Sequence, residues 1–135
     1  MRAKMAIVVG LIVFLAAGLA YVRLAPSDPA KWHRDVQINH DSNSENSVRR
    51  MVVTGSDGLA KFAEIAIQTP NTSVLAGSVE EGMVTFITRT KVMGYPDYTT
   101  AIQDGELLKV FGRSRFGLKD FGVNAARVDA WIEAL

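Results

Sequence analysis

The 135-residue chain carries 15 basic and 14 acidic residues, for a formal charge of +1, and has no cysteine. That length suits one small domain and a tail, and the absent thiols exclude a disulfide framework, a thiolate nucleophile or metal site, and an acylated-cysteine anchor. Three of the basic residues, Arg2, Lys4 and Arg23, flank an apolar leading run, which leaves 12 against 14 and a charge of −2 beyond it. A mildly acidic domain is a poor nucleic-acid ligand, so no nucleic-acid partner is expected.

The leading run, MAIVVGLIVFLAAGLAYV (Met5 to Val22), contains no charge and no proline. Its length, as a helix, spans about 27 Å, close to the hydrocarbon thickness of a bilayer. Residues 1–24 are therefore expected to form a retained membrane anchor, with the lipid bilayer as partner through residues 5–22. The alternative is a cleaved signal peptide cut among Ala16, Ala17, Gly18 and Ala20. The segment is apolar all round, which excludes an amphipathic core helix. A four-residue basic tail before such a segment stays in the cytosol by analogy with signal sequences. The expected location is the bacterial inner membrane, single-pass, with the C-terminal domain periplasmic.

Residues 25–47, APSDPAKWHRDVQINHDSNSENS, show no sustained period and read as an irregular linker. Trp32 is expected to pack on the domain or sit at the membrane interface. His33, Asp35 and His40 lack a spacing that holds a metal, so no metal site is assigned.

Residues 48–135 read as an α+β domain. MVV (Met51 to Val53) starts a strand, and SDGLAKFAEIAIQTP reads as a helix capped by Ser56 or Asp57 and stopped by Pro70. Its inward face comprises Leu59, Phe62, Ala63, Ala66 and Ile67. A strand over 73–79, a turn at Glu80 to Gly82, and an alternating strand from Met83 follow, with Val84, Phe86, Thr88 and Thr90 on one side. GYPD (Gly94 to Asp97) breaks the pairing; YTTAIQ and ELLKVFGRSR form a hairpin about Asp104-Gly105. Asn124 is placed to cap a last helix whose apolar stripe is Val128, Trp131, Ile132 and Leu135. The sum is an N-terminal transmembrane helix followed by a small, mostly antiparallel sheet of four or five strands with two packed helices.

The least ordinary stretch is RSRFGLKDFGVN, Arg113 to Asn124. In a strand Arg113 and Arg115 share one face and Ser114 takes the other. Gly117 and Gly122 permit a sharp turn, and Asp120 lies within reach of either arginine and near the positive end of the last helix. Two readings stand. One is a structural clip of Arg–Asp pairs. The other is an anion or partner site made by Arg113, Ser114, Arg115 and Asp120, with Arg89 from a neighbouring strand. Asp97, held by Pro96, is a second carboxylate within reach of an arginine.

The run RSRFGLKDFGVNAARV, preceded by YPDYTT (Tyr95 to Thr100), resembles the bacterial domain-of-unknown-function family 1499. The residues that carry the likeness are Ser114, Arg115, Gly117, Asp120, Gly122, Val123, Asn124, Arg127 and Val128, and it extends over Trp32 to Leu135. The resemblance implies an exported or membrane-attached protein and brings no established activity. This chain lacks the N-terminal cysteines of many relatives, so no cysteine-dependent role follows.

No P-loop, dinucleotide fingerprint or zinc-protease helix is present, so no cofactor is expected and no residue is given a catalytic role. The expected function is a membrane-anchored, non-catalytic binding or assembly module for an envelope protein or acidic ligand. The alternative is a hydrolase or transferase on an anionic or glycan substrate, with Asp120 or Asp97 as base and the arginines as clamp. A third reading assigns the function to the anchor helix itself, through association with other membrane proteins; Gly10 and Gly18 lie outside the four-residue dimer spacing.

Overall fold

The computed structural model describes residues 1–135. Helix α1 (Arg2–Leu24) is followed by a single turn, α2 (Pro29–Trp32). Strands β1 (Ser42–Asn43) and β2 (Ser47–Val53) lead to helix α3 (Gly58–Gln68). Strands β3 (Thr72–Ser78), β4 (Met83–Arg89), β5 (Pro96–Asp104) and β6 (Leu107–Ser114) then precede helix α4 (Val123–Glu133). None of the 23 residues of α1 is buried, and its most apolar 18-residue stretch has a mean hydropathy of 2.6, so it is long and apolar enough to cross a membrane.

The six strands form one antiparallel sheet in the order β1-β2-β6-β5-β4-β3. Alternation along the strands assigns one face to α3 and α4. There Val48, Val84, Phe86, Ala101, Leu108 and Val110 meet Leu59, Phe62 and Ala66 of α3 and Val128 and Trp131 of α4. Phe62, Phe86 and Trp131 pack as a tilted and edge-on aromatic trio, with centroids 5.6 to 6.2 Å apart. The indole N–H of Trp131 donates to Thr69 at 2.8 Å, which gives the one polar atom of that ring a partner.

The opposite face is not left to solvent. The irregular segment after α1 lies on it, with Ala25 and Ile38 buried and Trp32 stacked on Tyr98 at 4.2 Å. A chain with no period of its own can still pack when the sheet supplies the surface.

Several local expectations change. Six strands form where four or five were expected, because the two-residue β1 is too short to show a period. Strand β2 begins at Ser47 rather than Met51, since Arg50 is neutralised by Asp129 at 2.7 Å and Arg49 lies over the Phe111 ring. Pro96 and Asp97 belong to β5, where proline is tolerated as the first strand residue. The hairpin turn itself is Gly105-Glu106, with Asp104 paired to Leu107 and Gly105 at φ +60°. On α3, Ile67 is 53% exposed, while Ile65 packs against the core in its place. Neither Ser56 nor Asp57 caps that helix with its side chain; the amide oxygen of Gln103 on β5 accepts from Leu59 N–H at 2.8 Å instead.

Candidate functional site

The sequence-derived set separates into two clusters on opposite faces of the sheet. The division follows from β6: Arg113 lies beneath the irregular segment, and Ser114 faces α4.

The register sets Tyr98 opposite Arg113. Arg113 therefore enters an aromatic enclosure, its guanidinium carbon 4.8 Å from the Phe111 ring centre, 5.7 Å from Trp32 and 5.9 Å from Tyr98. It donates to Thr100 Oγ1 at 2.8 Å, to the Phe111 carbonyl at 3.2 Å and to the Trp32 carbonyl. Thr100 continues to Thr85 at 2.8 Å, and Thr85 to His33 Nδ1 at 2.8 Å. Burial lowers the Arg113 pKa to about 10, because the charged form has lost its water and no carboxylate answers it. Arg115 is less enclosed; it donates to the Pro26 carbonyl at 2.8 Å and to the Tyr98 hydroxyl at 3.3 Å. Both arginines thus fasten residues 26–32 to the sheet. Arg89, at the end of β4, donates to the Gly94 carbonyl at 3.0 Å and meets neither of them.

The second cluster links β5, β6 and α4. Asp97 is 3% exposed and pairs with Arg127 at 3.2 Å. Its neighbour across the strands is Ser114. Burial pushes the Asp97 carboxyl above its ordinary range; Arg127 and Ser114 oppose that shift, and the charge of Asp120 adds to it. Asn124 is fully buried at the second position of α4. Its amide donates to Ser114 Oγ at 2.9 Å and to Asp120 Oδ2 at 2.8 Å, and its oxygen accepts from Arg127.

Asn124 is consequently not the helix cap. Gly122 occupies that position with φ +79°, and Asp120 accepts from the N–H groups of Gly122 at 2.9 Å and Asn124 at 3.1 Å. The carboxylate does sit at the positive helix end. It forms no ion pair with Arg113 or Arg115, because those side chains leave β6 on the other face.

Above this cluster opens a cavity of about 400 Å³, bounded by Val22 of α1, Thr90, Tyr95, Asp97, Ser114 and the 116–123 loop. Gly117 lines it at φ +90°, a conformation that suits glycine. Sequence reasoning missed the aromatic enclosure. Trp32, Tyr98, Thr100 and Thr85 each carried a signal of period or composition, but only the strand register reveals that they converge on Arg113.

A small antiparallel sheet with two helices on one face, preceded by a helix of membrane-spanning length, defines the architecture. The family described as protein of unknown function (DUF1499) matches residues 22–135, and the chain belongs to that family. The matched span contains both clusters, the covering segment and the last turn of α1. A search of the curated proteins found no match.

Proposed function

We propose that this protein is anchored in the bacterial inner membrane through Met5 to Val22, with its domain on the periplasmic side. The domain acts there as a non-catalytic binding module resting on the bilayer surface. The observation behind this reading is where the domain leaves its apolar side chains in solvent. Beyond α1, the three most exposed large apolar residues are Phe121 at 92%, Leu118 at 86% and Val92 at 77%. All three stand on the two loops that touch the end of α1. Arg23 donates to the carbonyls of Val92 and Met93, and Tyr21 meets Phe116 edge-on at 6.1 Å. Lys91 and Lys119 lie within the same loops, a composition suited to lipid phosphates and the acyl boundary.

Nitroxide labels at Val92, Leu118 and Phe121 test this in the full chain reconstituted into bilayers. Those labels should be shielded from an aqueous relaxation reagent and accessible to oxygen, whereas a label at Ile67 should show the reverse. Equal aqueous access at all four positions removes the docked-domain reading.

A second reading, a hydrolase or transferase, draws support from Asp97, a carboxyl with a raised pKa beside Ser114 at a cavity. The binding reading is preferred because Asp97 and Ser114, the pair such chemistry would use, are already engaged by Arg127 and Asn124.

A further inference from the structure

We infer that the cavity over Asp120 and an adjoining groove beside α1 form one amphiphile site, which takes a membrane phospholipid with a primary ammonium headgroup. The acyl chain occupies the groove and the headgroup enters the cavity. This inference rests on the reading that α1 spans the bilayer with the domain against its surface.

The groove, about 300 Å³, runs between α1 and the loop after β4. Phe14, Leu15 and Leu19 form one wall, Met93 and Tyr95 the other, and Gly18 lies between them without a side chain to fill the space. Nothing in this groove is charged. Val22 and Tyr95 line both the groove and the cavity, so the two spaces meet at these residues.

Charged side chains appear only beyond that junction, in a cavity whose lining is otherwise largely apolar. The cavity presents Thr90, Ser114, Asp97, Asp120 and Lys119, with Phe116 and Phe121 among its apolar lining. A chain of hydrocarbon followed by a compact charged group matches this order.

The two carboxylates are not equivalent. Asp97 is answered by Arg127. Asp120 accepts only from backbone N–H groups and the Asn124 amide, and no cation pairs with it. A ligand ammonium at Asp120 supplies the missing positive charge in a partly enclosed site, where such a contact is stronger than in water. Lys119 is 61% exposed and lies 4.0 Å from Glu45, a loose pairing that leaves its ammonium able to meet the phosphate of the same headgroup.

The test uses the full chain in nanodiscs containing phosphatidylethanolamine and phosphatidylglycerol in equal amounts, with bound lipid read by native mass spectrometry. One phosphatidylethanolamine per chain is expected, in preference to phosphatidylglycerol. Val22→Trp blocks the junction and Leu19→Trp fills the groove; each should lower occupancy about tenfold. Val13→Trp, on the face of α1 opposite the groove, should leave it unchanged. Asp120→Asn should erase the headgroup preference, and Lys119→Glu, which leaves the helix cap intact, should lower occupancy if Asp120→Asn impairs folding. Equal retention of both lipids, or retention indifferent to Val22→Trp and Leu19→Trp, overturns the inference. If labels at Leu118 and Phe121 still report membrane contact in that case, the docked-domain reading survives and only the lipid site is lost.

Discussion

Arg127 of α4 reaches Asp97 of β5 at 3.2 Å, and the two side chains are only 12% and 4% exposed. The pair ties the last helix to the sheet beside the cavity, and Arg127 also shares Asn124 with the cap of that helix. Removing one member strands the other in a poorly hydrated place. Arg127→Ala is expected to cost about 3–5 kcal/mol in denaturant unfolding of the full chain in detergent. The double change Arg127→Met with Asp97→Asn should cost less than Arg127→Ala alone, because no lone charge remains. Equal losses for the single and double variants would show that the pair acts through packing only.

Asp97 also makes a prediction about pH. Its folded pKa lies above the ordinary value of 3.8, so the folded state holds this proton more tightly than the unfolded state. Its favourable contribution is complete below the unfolded value and declines as pH rises through the window up to the raised folded value. Other carboxylates follow their own trends, so the quantity to measure is the stability difference between the wild-type chain and Asp97→Asn. That difference should move against the wild type as pH rises from the ordinary carboxylate range, then level off. A difference that moves in favour of the wild type with rising pH contradicts the assigned direction.

The two arginines of the RSR step should behave differently. Arg113 fills an enclosure of three rings and supplies donors to Thr100 and two carbonyls. Arg113→Ala is expected to cost about 3 kcal/mol, since it leaves both a void and unpaired acceptors. Arg113→Met should recover much of that loss, because its stem still packs and the desolvated charge is gone. Arg115→Ala, with one exposed carbonyl contact and one longer contact, should cost about 1 kcal/mol or less. Thermal melts of the three variants order these effects. A larger loss for Arg115→Ala than for Arg113→Ala would reverse the assignment.

Most of the core was readable from period alone. Leu59, Phe62 and Ala66 recur at helical spacing, Val84 and Phe86 alternate, and Val128 and Trp131 share a stripe; all seven enter one cluster. The face assigned to Arg113 and Arg115, opposite Ser114, also followed from alternation. What no single strand carries is register. The pairing of Tyr98 with Arg113, and of Asp97 with Ser114, joins residues 15 and 17 positions apart and depends on where the hairpin turn falls. The cover over the second face was hidden for a different reason. Trp32 and Ile38 lie in an aperiodic stretch, and such a stretch shows its packing only once the sheet exists to receive it. The Asn124 cap was displaced by one turn of logic: Asp120 already supplies the acceptor that the helix start requires.

Gly112 marks a close approach that a side chain would disturb. A Cβ built there stands 3.1 Å from Val48 and 3.1 Å from Val128, where α4 meets the sheet. Gly112→Ala therefore pushes the helix outward or strains two buried valines, at a cost of about 1–3 kcal/mol. The effect should grow if Val128 is enlarged to Ile and shrink with Val128→Ala, a coupling that a double-mutant cycle in denaturant can resolve. Additive losses would mean that Gly112 and Val128 do not compete for the same space.

Leu118 and Phe121 allow docking to be separated from folding. Both are almost fully exposed and contribute little to the core, so Leu118→Asp with Phe121→Asp should shift stability in detergent by no more than about 0.5 kcal/mol. On a bilayer the same change replaces two apolar side chains with charges at the depth of the headgroups, where carboxylates meet repulsion from anionic lipid and lose apolar burial. A fluorophore at Val92 should then be quenched less by headgroup-labelled lipid in the double variant than in the parent chain. Exchange of the 115–122 backbone amides should rise in nanodiscs and stay unchanged in detergent. Identical quenching and exchange in both chains would mean that these residues never touched the membrane. The apolar loops would then have to be read as a surface for another protein.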